Sequence, residues 1–280
     1  MFGPIVKPKD LREAVQRVAE GGRPLAGGTD LFVRLRKGLE KPQMLVYVGE
    51  LPELGVLRAT REGLEIGAAR THSELLESPL TEPFPILRKT LGTIASPALR
   101  AMGTLGGNVV NASPAGDSLV ALYLLEAQVR IVGPQGEREV PVQEFIQGPG
   151  KTGLGPGELV VSVFLPYVEG EPVSYFRKVG RRQALYISVV SLGALVWLDG
   201  EKITKARLAL GSVAPRVVRP RAVEEALAGR SAQVEAVQEL VSLLSSLVQP
   251  ISDLRASADY RRKVSGNLLL DLVLFLQDRK

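Results

Sequence analysis

Two glycine-rich stretches carry the strongest chemical signal in this chain, LAGGTD at residues 25–30 and GTLGGN at residues 103–108. Each is set between segments that read as regular structure. Glycine reaches φ > 0 at little cost, and its missing Cβ lets backbone N–H groups come close to a bulky anion. Consecutive N–H donors then form a phosphate nest, in which each charge-assisted bond contributes roughly 1.5–3 kcal/mol. Two such stretches suggest one shared ligand, a diphosphate gripped without Lys or Arg. Thr29, Thr104 and Asn108 add side-chain donors, and Asp117 can accept from sugar hydroxyls. The structural alternatives stay open at this point: a Gly-Gly pair also serves as a plain tight turn, and Asp117 equally reads as the N-cap of a helix starting near Ser118.

Other spellings fail on their context. GPGKTG (148–153) satisfies G-x-G-x-x-G and contains Gly-Lys-Thr. A dinucleotide fingerprint must follow a strand and open a helix, whereas here more glycines and the strand-like ELVVSVF follow. A Walker loop would need glycine where Phe145 stands, so the segment is expected to be a flexible connection. His72 is the single histidine, which rules out a multi-histidine metal site. THSE (71–74) reads instead as a short helix capped by Thr71. Glu224-Glu225 is expected on a solvated helix face, and no acid–base dyad emerges. Cysteine is absent, which removes thiol nucleophiles, Cys-based zinc sites and any iron–sulfur cluster held by this chain.

The elements that would position the glycine stretches follow from the apolar pattern. Leu11, Ala14, Val15 and Val18 have helical spacing, with Asp10 as N-cap and Gly21-Gly22 as the stop. RPLA then leads into the first glycine stretch, and Thr29 or Asp30 is expected to cap a short helix over LFVRLRKG. MLVYV (44–48) reads as a strand, and GVLRATREGLEIGA as a hairpin turning near Thr60 to Gly63. FPILRKTLGTIAS (84–96) is helical and ends before Pro97. A helix follows in the second half of GTLGGNVVNASPAGDSLVALYLLEA, then a QVRIV/REVPV hairpin and the strand ELVVSVFLP. Polar EGEPV near residues 169–173 suggests a boundary. Beyond it come two long strands joined at Asp199-Gly200, then helices from about Arg221, Ser231 and Ser257.

With 280 residues, 45% apolar and 23% charged, the chain is long enough for two cored domains. A net charge of +5 with scattered basic residues argues against a nucleic-acid surface. The longest apolar runs, Ile187 to Leu198 and Leu268 to Leu276, fall short of the roughly 18–20 residues of a membrane span. A cytoplasmic location is expected.

LAGGTDL (25–31) followed by SPALRAMGTLGGNVVNASPAGD (96–117) resembles the FAD-binding (medium) subunit of molybdenum hydroxylases, the xanthine dehydrogenase and carbon monoxide dehydrogenase family. FIQGPGKTGLGPGELVVSVFLP (145–166) and RASADYRRKVSGNLL (255–269) extend the resemblance over nearly the whole chain. It implies an α+β fold: a two-part FAD-binding domain of the vanillyl-alcohol-oxidase type over residues 1–170, then a small antiparallel-sheet plus helices domain over residues 171–280. Cofactor contacts are implied at Leu25, Ala26, Gly27, Gly28, Thr29, Asp30 and Leu31, and at Thr104, Leu105, Gly106, Gly107 and Asn108. Further contacts are implied at Asp117, Val160 and Arg177, with Tyr186 either over a flavin face or simply core.

The chain departs from the family pattern at Ala101-Met102, where an Arg-Asn pair is common, and at Ala184, commonly acidic. The implied cofactor is FAD. The molybdenum cofactor and [2Fe-2S] clusters belong to a large and a small partner subunit, and the implied role is electron transfer to a terminal acceptor. A free-standing FAD-dependent oxidase or reductase of the same fold, and an assembly subunit that has lost its flavin, are the alternatives.

Overall fold

The computed structural model describes residues 3–182 and 185–279. The chain divides into two compact units, each discontinuous: Met1–Pro83, Ser96–Ala112 and Glu126–Tyr167 make the first, and Phe84–Ala95, Ser113–Leu125 and Val168–Lys280 the second.

In the first unit, β1 (Ile5–Val6), β2 (Gly22–Leu25) and β3 (Met44–Tyr47) form a parallel sheet in the order β1-β3-β2. Parallel neighbours require crossovers, and the helix Leu11–Ala19 supplies the one between β1 and β2. It starts where expected, Asp10 accepting a hydrogen bond from the Glu13 N–H at 2.7 Å, and the chain leaves it through Gly21 at φ +90°. The second crossover carries the first glycine stretch and the helix Leu31–Arg36, whose Leu35 packs with Leu25 and Leu45 in a small core.

The same unit holds a five-stranded antiparallel sheet built from β4 (Leu57–Ala59), β5 (Gly63–Gly67), β6 (Gln128–Gly133) and β7 (Gly136–Pro141). A two-stranded ribbon of β8 (Ile146–Gly148) and β9 (Lys151–Thr152) follows, and β10 (Leu159–Pro166) joins the sheet in the order β4-β5-β10-β6-β7. The hairpin turn at Thr60 to Gly63 is tied by Thr60 Oγ1, which accepts from the Glu62 and Gly63 N–H groups. The GPGKTG segment, expected to be a flexible connection, is therefore a hairpin. Its Gly150 sits at φ +67°, and the Gly150 N–H donates to the Ala112 carbonyl.

The second unit is built on an antiparallel sheet of β11 (Val173–Val179), β12 (Val190–Asp199) and β13 (Lys202–Gly211). The β12–β13 turn falls at Asp199-Gly200, with Gly200 at φ +56°. Every residue of the helix Asp117–Leu124 is buried. A helix apolar all round needs cover on all sides, which the helix Pro85–Gly92 and strands β12 and β13 provide. The helices Arg221–Leu227, Leu240–Leu247 and Ala258–Gln277 complete the core with Val223, Leu244, Leu269 and Leu272. Glu224 is not solvated as expected: it is buried and ion-paired with Arg219 at 2.7 Å. Among the described residues no helix is long and apolar enough to cross a membrane.

Candidate functional site

A cleft of about 310 Å³ opens in the first unit, within the range of small-molecule sites. Both glycine stretches line it. From the first come Leu25, Ala26, Gly27, Gly28, Thr29, Asp30 and Leu31, and from the second Thr104, Gly106, Gly107 and Asn108. Val160, on β10, lines the same wall beside Leu159. The stretches converge so closely that a Cβ on Gly27 would stand 1.7 Å from the carbonyl oxygen of Met102, the residue just before the second stretch; Gly106 is packed against Ala68 instead, where a Cβ would lie 2.4 Å from the alanine Cβ. Leu105 is wholly buried and anchors the second stretch.

The two stretches differ in what they offer an anion. Among the described residues no carbonyl or side chain accepts from the N–H of Gly27, Gly28, Thr29, Asp30 or Leu31. Gly28 at φ +70° bends this run into a concave turn that a side chain would resist. Neither Thr29 nor Asp30 caps the helix Leu31–Arg36 as expected: Asp30 already has helical backbone angles (φ −98°, ψ −42°) and makes no cap hydrogen bond. Uncapped donors are what an incoming diphosphate needs.

The second stretch, expected as a loop of N–H donors, is instead the first turn of the helix Leu105–Asn111. Its donors are already used. Leu105 N–H donates to Arg70 O, Gly106 N–H to Ala68 O, Gly107 N–H to Thr104 Oγ1 and Asn108 N–H to Thr104 O. Gly27, Gly106 and Gly107 do not take positive φ. Their glycine character serves close approach: a Cβ on Gly107 would meet Thr104 Oγ1 at 2.8 Å.

Charge is present at the rim after all. Arg23 and Arg34 both line the cleft and share Glu40, with Arg23 Nε 2.9 Å from Oε2 and Arg34 Nε bonded to Oε1. Position 23 lies one strand before the glycines and position 34 one helical turn after them, a spacing signal that sequence reasoning passed over. Open N–H donors, an approach that only a missing Cβ allows and a cationic rim together fit the diphosphate of a dinucleotide. Among the described residues no cluster of acidic or histidine side chains could hold a metal.

His72 also lines the cleft. It opens the helix His72–Glu77, where Thr71 and Glu74 form a reciprocal capping box. The imidazole is only 3% exposed. Burial, reinforced by the Arg100 guanidinium, lowers its pKa from 6.5 to about 4. The unfolded chain therefore binds a proton that the folded chain refuses between these values, and stability falls as pH drops through that window. The parent is expected to lose about 3 kcal/mol from pH 6.5 to 4 relative to His72→Gln, as measured by urea unfolding at a series of pH values.

The remaining expected contacts belong to the second unit. Asp117 does not cap the helix it begins. Its Oδ2 pairs with Lys178 Nζ at 2.6 Å and Oδ1 accepts from Ser188 Oγ at 2.7 Å, with both partners of the ion pair buried. Burial raises its pKa, and Lys178 opposes the shift. Arg177 pairs with Asp271 at 3.0 Å. Tyr186 packs on Gly180 and beneath Lys178, its hydroxyl donating to the Lys178 carbonyl. Ala184 lies outside the described residues.

A family model described as the FAD binding domain in molybdopterin dehydrogenase matches residues 1–168, and one described as the CO dehydrogenase flavoprotein C-terminal domain matches residues 174–275. The glyceraldehyde dehydrogenase medium chain of Sulfolobus acidocaldarius is 32% identical over 92% of this chain and 92% of its own length. The carbon monoxide dehydrogenase medium chain of Afipia carboxidovorans is 31% identical over 94% of this chain and 92% of its own. Among solved structures, quinoline 2-oxidoreductase from Pseudomonas putida 86 superposes with a TM-score of 0.93 at 27% identity, covering 98% of this chain and 96% of that one.

Proposed function

The chain belongs to the FAD-binding medium-subunit family of molybdenum hydroxylases, and from that premise we propose that it carries electrons from a small [2Fe-2S] subunit to a terminal acceptor, in a complex whose large subunit holds the molybdenum cofactor. FAD is the redox group and supplies the electron-accepting ring system when bound. The chain's own residues hold and orient it. In this reading the N–H groups of Gly27 to Leu31 grip the diphosphate, while Thr104, Asn108 and Val160 bound the dinucleotide. Gly106, Gly107 and the buried Leu105 let the second stretch pack closely behind it. Asp117 and Arg177, named by the family resemblance, are held in the second unit by their ion pairs with Lys178 and Asp271. The flavin domain is of the vanillyl-alcohol-oxidase type and spans residues 1–170, residues 171–280 form the second domain, and the complex is cytoplasmic.

The observation that carries this reading is the run of five unclaimed N–H donors facing a second stretch that only glycine could bring so near. The complex purified with this chain is expected to show visible flavin absorbance at about one FAD per copy. A complex lacking flavin would overturn the proposal. The subunit reading is favoured over a free-standing oxidase because relatives covered over nine-tenths of their own length are medium chains. A monomer of this chain that turns over an organic substrate unaided would reverse that choice.

A further inference from the structure

The only histidine of the chain is left in a condition that structural histidines avoid. Its ring lines the cleft and is almost fully buried, yet neither ring nitrogen has a hydrogen-bond partner among the described residues, and Nδ1 is shut away from solvent. Buried polar side chains are satisfied in the great majority of proteins, so an orphan in a binding cleft points to a partner that arrives with the ligand. The ring also stands where the two glycine stretches meet. From the position a Cβ would take on Gly103, the imidazole Cδ2 is 3.4 Å away and Thr29 Oγ1 3.5 Å. Nδ1 is shut away from solvent and from any acceptor, which leaves Nε2 as the nitrogen a ligand can reach, and the tautomer protonated there is the one that can donate to it.

We propose that His72 is a ligand-contacting residue of the cleft, its Nε2–H donating a hydrogen bond to the diphosphate of the bound dinucleotide beside the donors of Gly27 to Leu31. The inference rests on the cleft being the FAD site. A neutral donor suits the position, because Arg23 and Arg34 already bring positive charge to the rim and an imidazolium would have to be buried beside Arg100.

The test uses full-length apoprotein labelled with 15N-histidine, in which a single side chain reports. FAD and ADP, which share the diphosphate, are each expected to shift the Nε2 resonance, and riboflavin, which lacks it, to leave it unmoved. His72→Phe is expected to weaken FAD binding at least about tenfold by flavin-fluorescence titration. His72→Gln, which keeps an N–H donor, should stay within about threefold of the parent. A resonance indifferent to saturating FAD, or a His72→Phe protein that binds FAD like the parent, overturns the assignment while leaving the cleft as the FAD site. A parent protein that binds no FAD, or binds riboflavin as tightly as FAD, overturns both.

Discussion

Gly27→Ala is expected to strip FAD from the protein. The new Cβ would lie 1.7 Å from the Met102 carbonyl oxygen and 2.6 Å from its carbon, and neither is the movable end of a side chain. One stretch must retreat by more than an ångström, carrying the open N–H groups of Gly27 to Leu31 with it. Overpacking of this kind costs about 1–3 kcal/mol of stability. The effect on binding is larger, because losing two charge-assisted hydrogen bonds at roughly 1.5–3 kcal/mol each weakens affinity by about 10²–10⁴-fold. Flavin content of the purified complex, read together with its circular dichroism, separates lost binding from lost folding. Gly55→Ala is the matched control, since a Cβ there meets nothing within 4 Å. A Gly27→Ala protein that keeps its full flavin complement would show that the two stretches do not grip the cofactor together.

The second large effect is expected in the core of the second unit. Glu224 is 6% exposed and receives four donors: Arg219 Nε and the Leu208 N–H at 2.7 Å, Arg219 Nη2 at 3.0 Å and Arg221 Nη1 at 3.2 Å. Glu224→Gln keeps the shape and one acceptor for Leu208 but removes the charge that balances Arg219, itself 5% exposed. Breaking a buried pair by neutralising one partner costs about 3–5 kcal/mol, since the other charge is left in a low-dielectric interior. In a unit of this size that lowers the melting temperature by roughly 10 °C. Pairing it with Arg219→Met should recover much of the loss, because replacing both ions with neutral groups removes the stranded charge. A single variant that melts like the parent would mean that water reaches the pair and screens it.

Much of the local structure was legible in the chain. Asp10, Thr71 and the Thr60 to Gly63 turn act as expected, because caps and tight turns are decided by side chains within four residues of one another. The glycine stretches were legible as a pair for a related reason: glycine in that pattern has few roles besides close approach and tight turning. The difference between them was not. Whether an N–H is free depends on what the rest of the fold places beside it, and Ala68 and Arg70, more than thirty residues earlier in the chain, claim the donors of Gly106 and Leu105. The hairpin over GPGKTG escaped for the same cause, since its pairing is held partly by the distant Ala112 carbonyl.

Cofactor class, family and the order of most strands and helices were thus written in residue types and short spacings, whose constraints are local and survive any packing. Only the folded chain decided that the first glycine stretch keeps its donors while the second spends them, that Arg23 and Arg34 meet over Glu40, that Glu224 is buried, and that His72 reaches the cleft without a partner. Each of these is a question of which distant groups become neighbours, and the free energy of a buried polar atom is set by those neighbours rather than by its own identity.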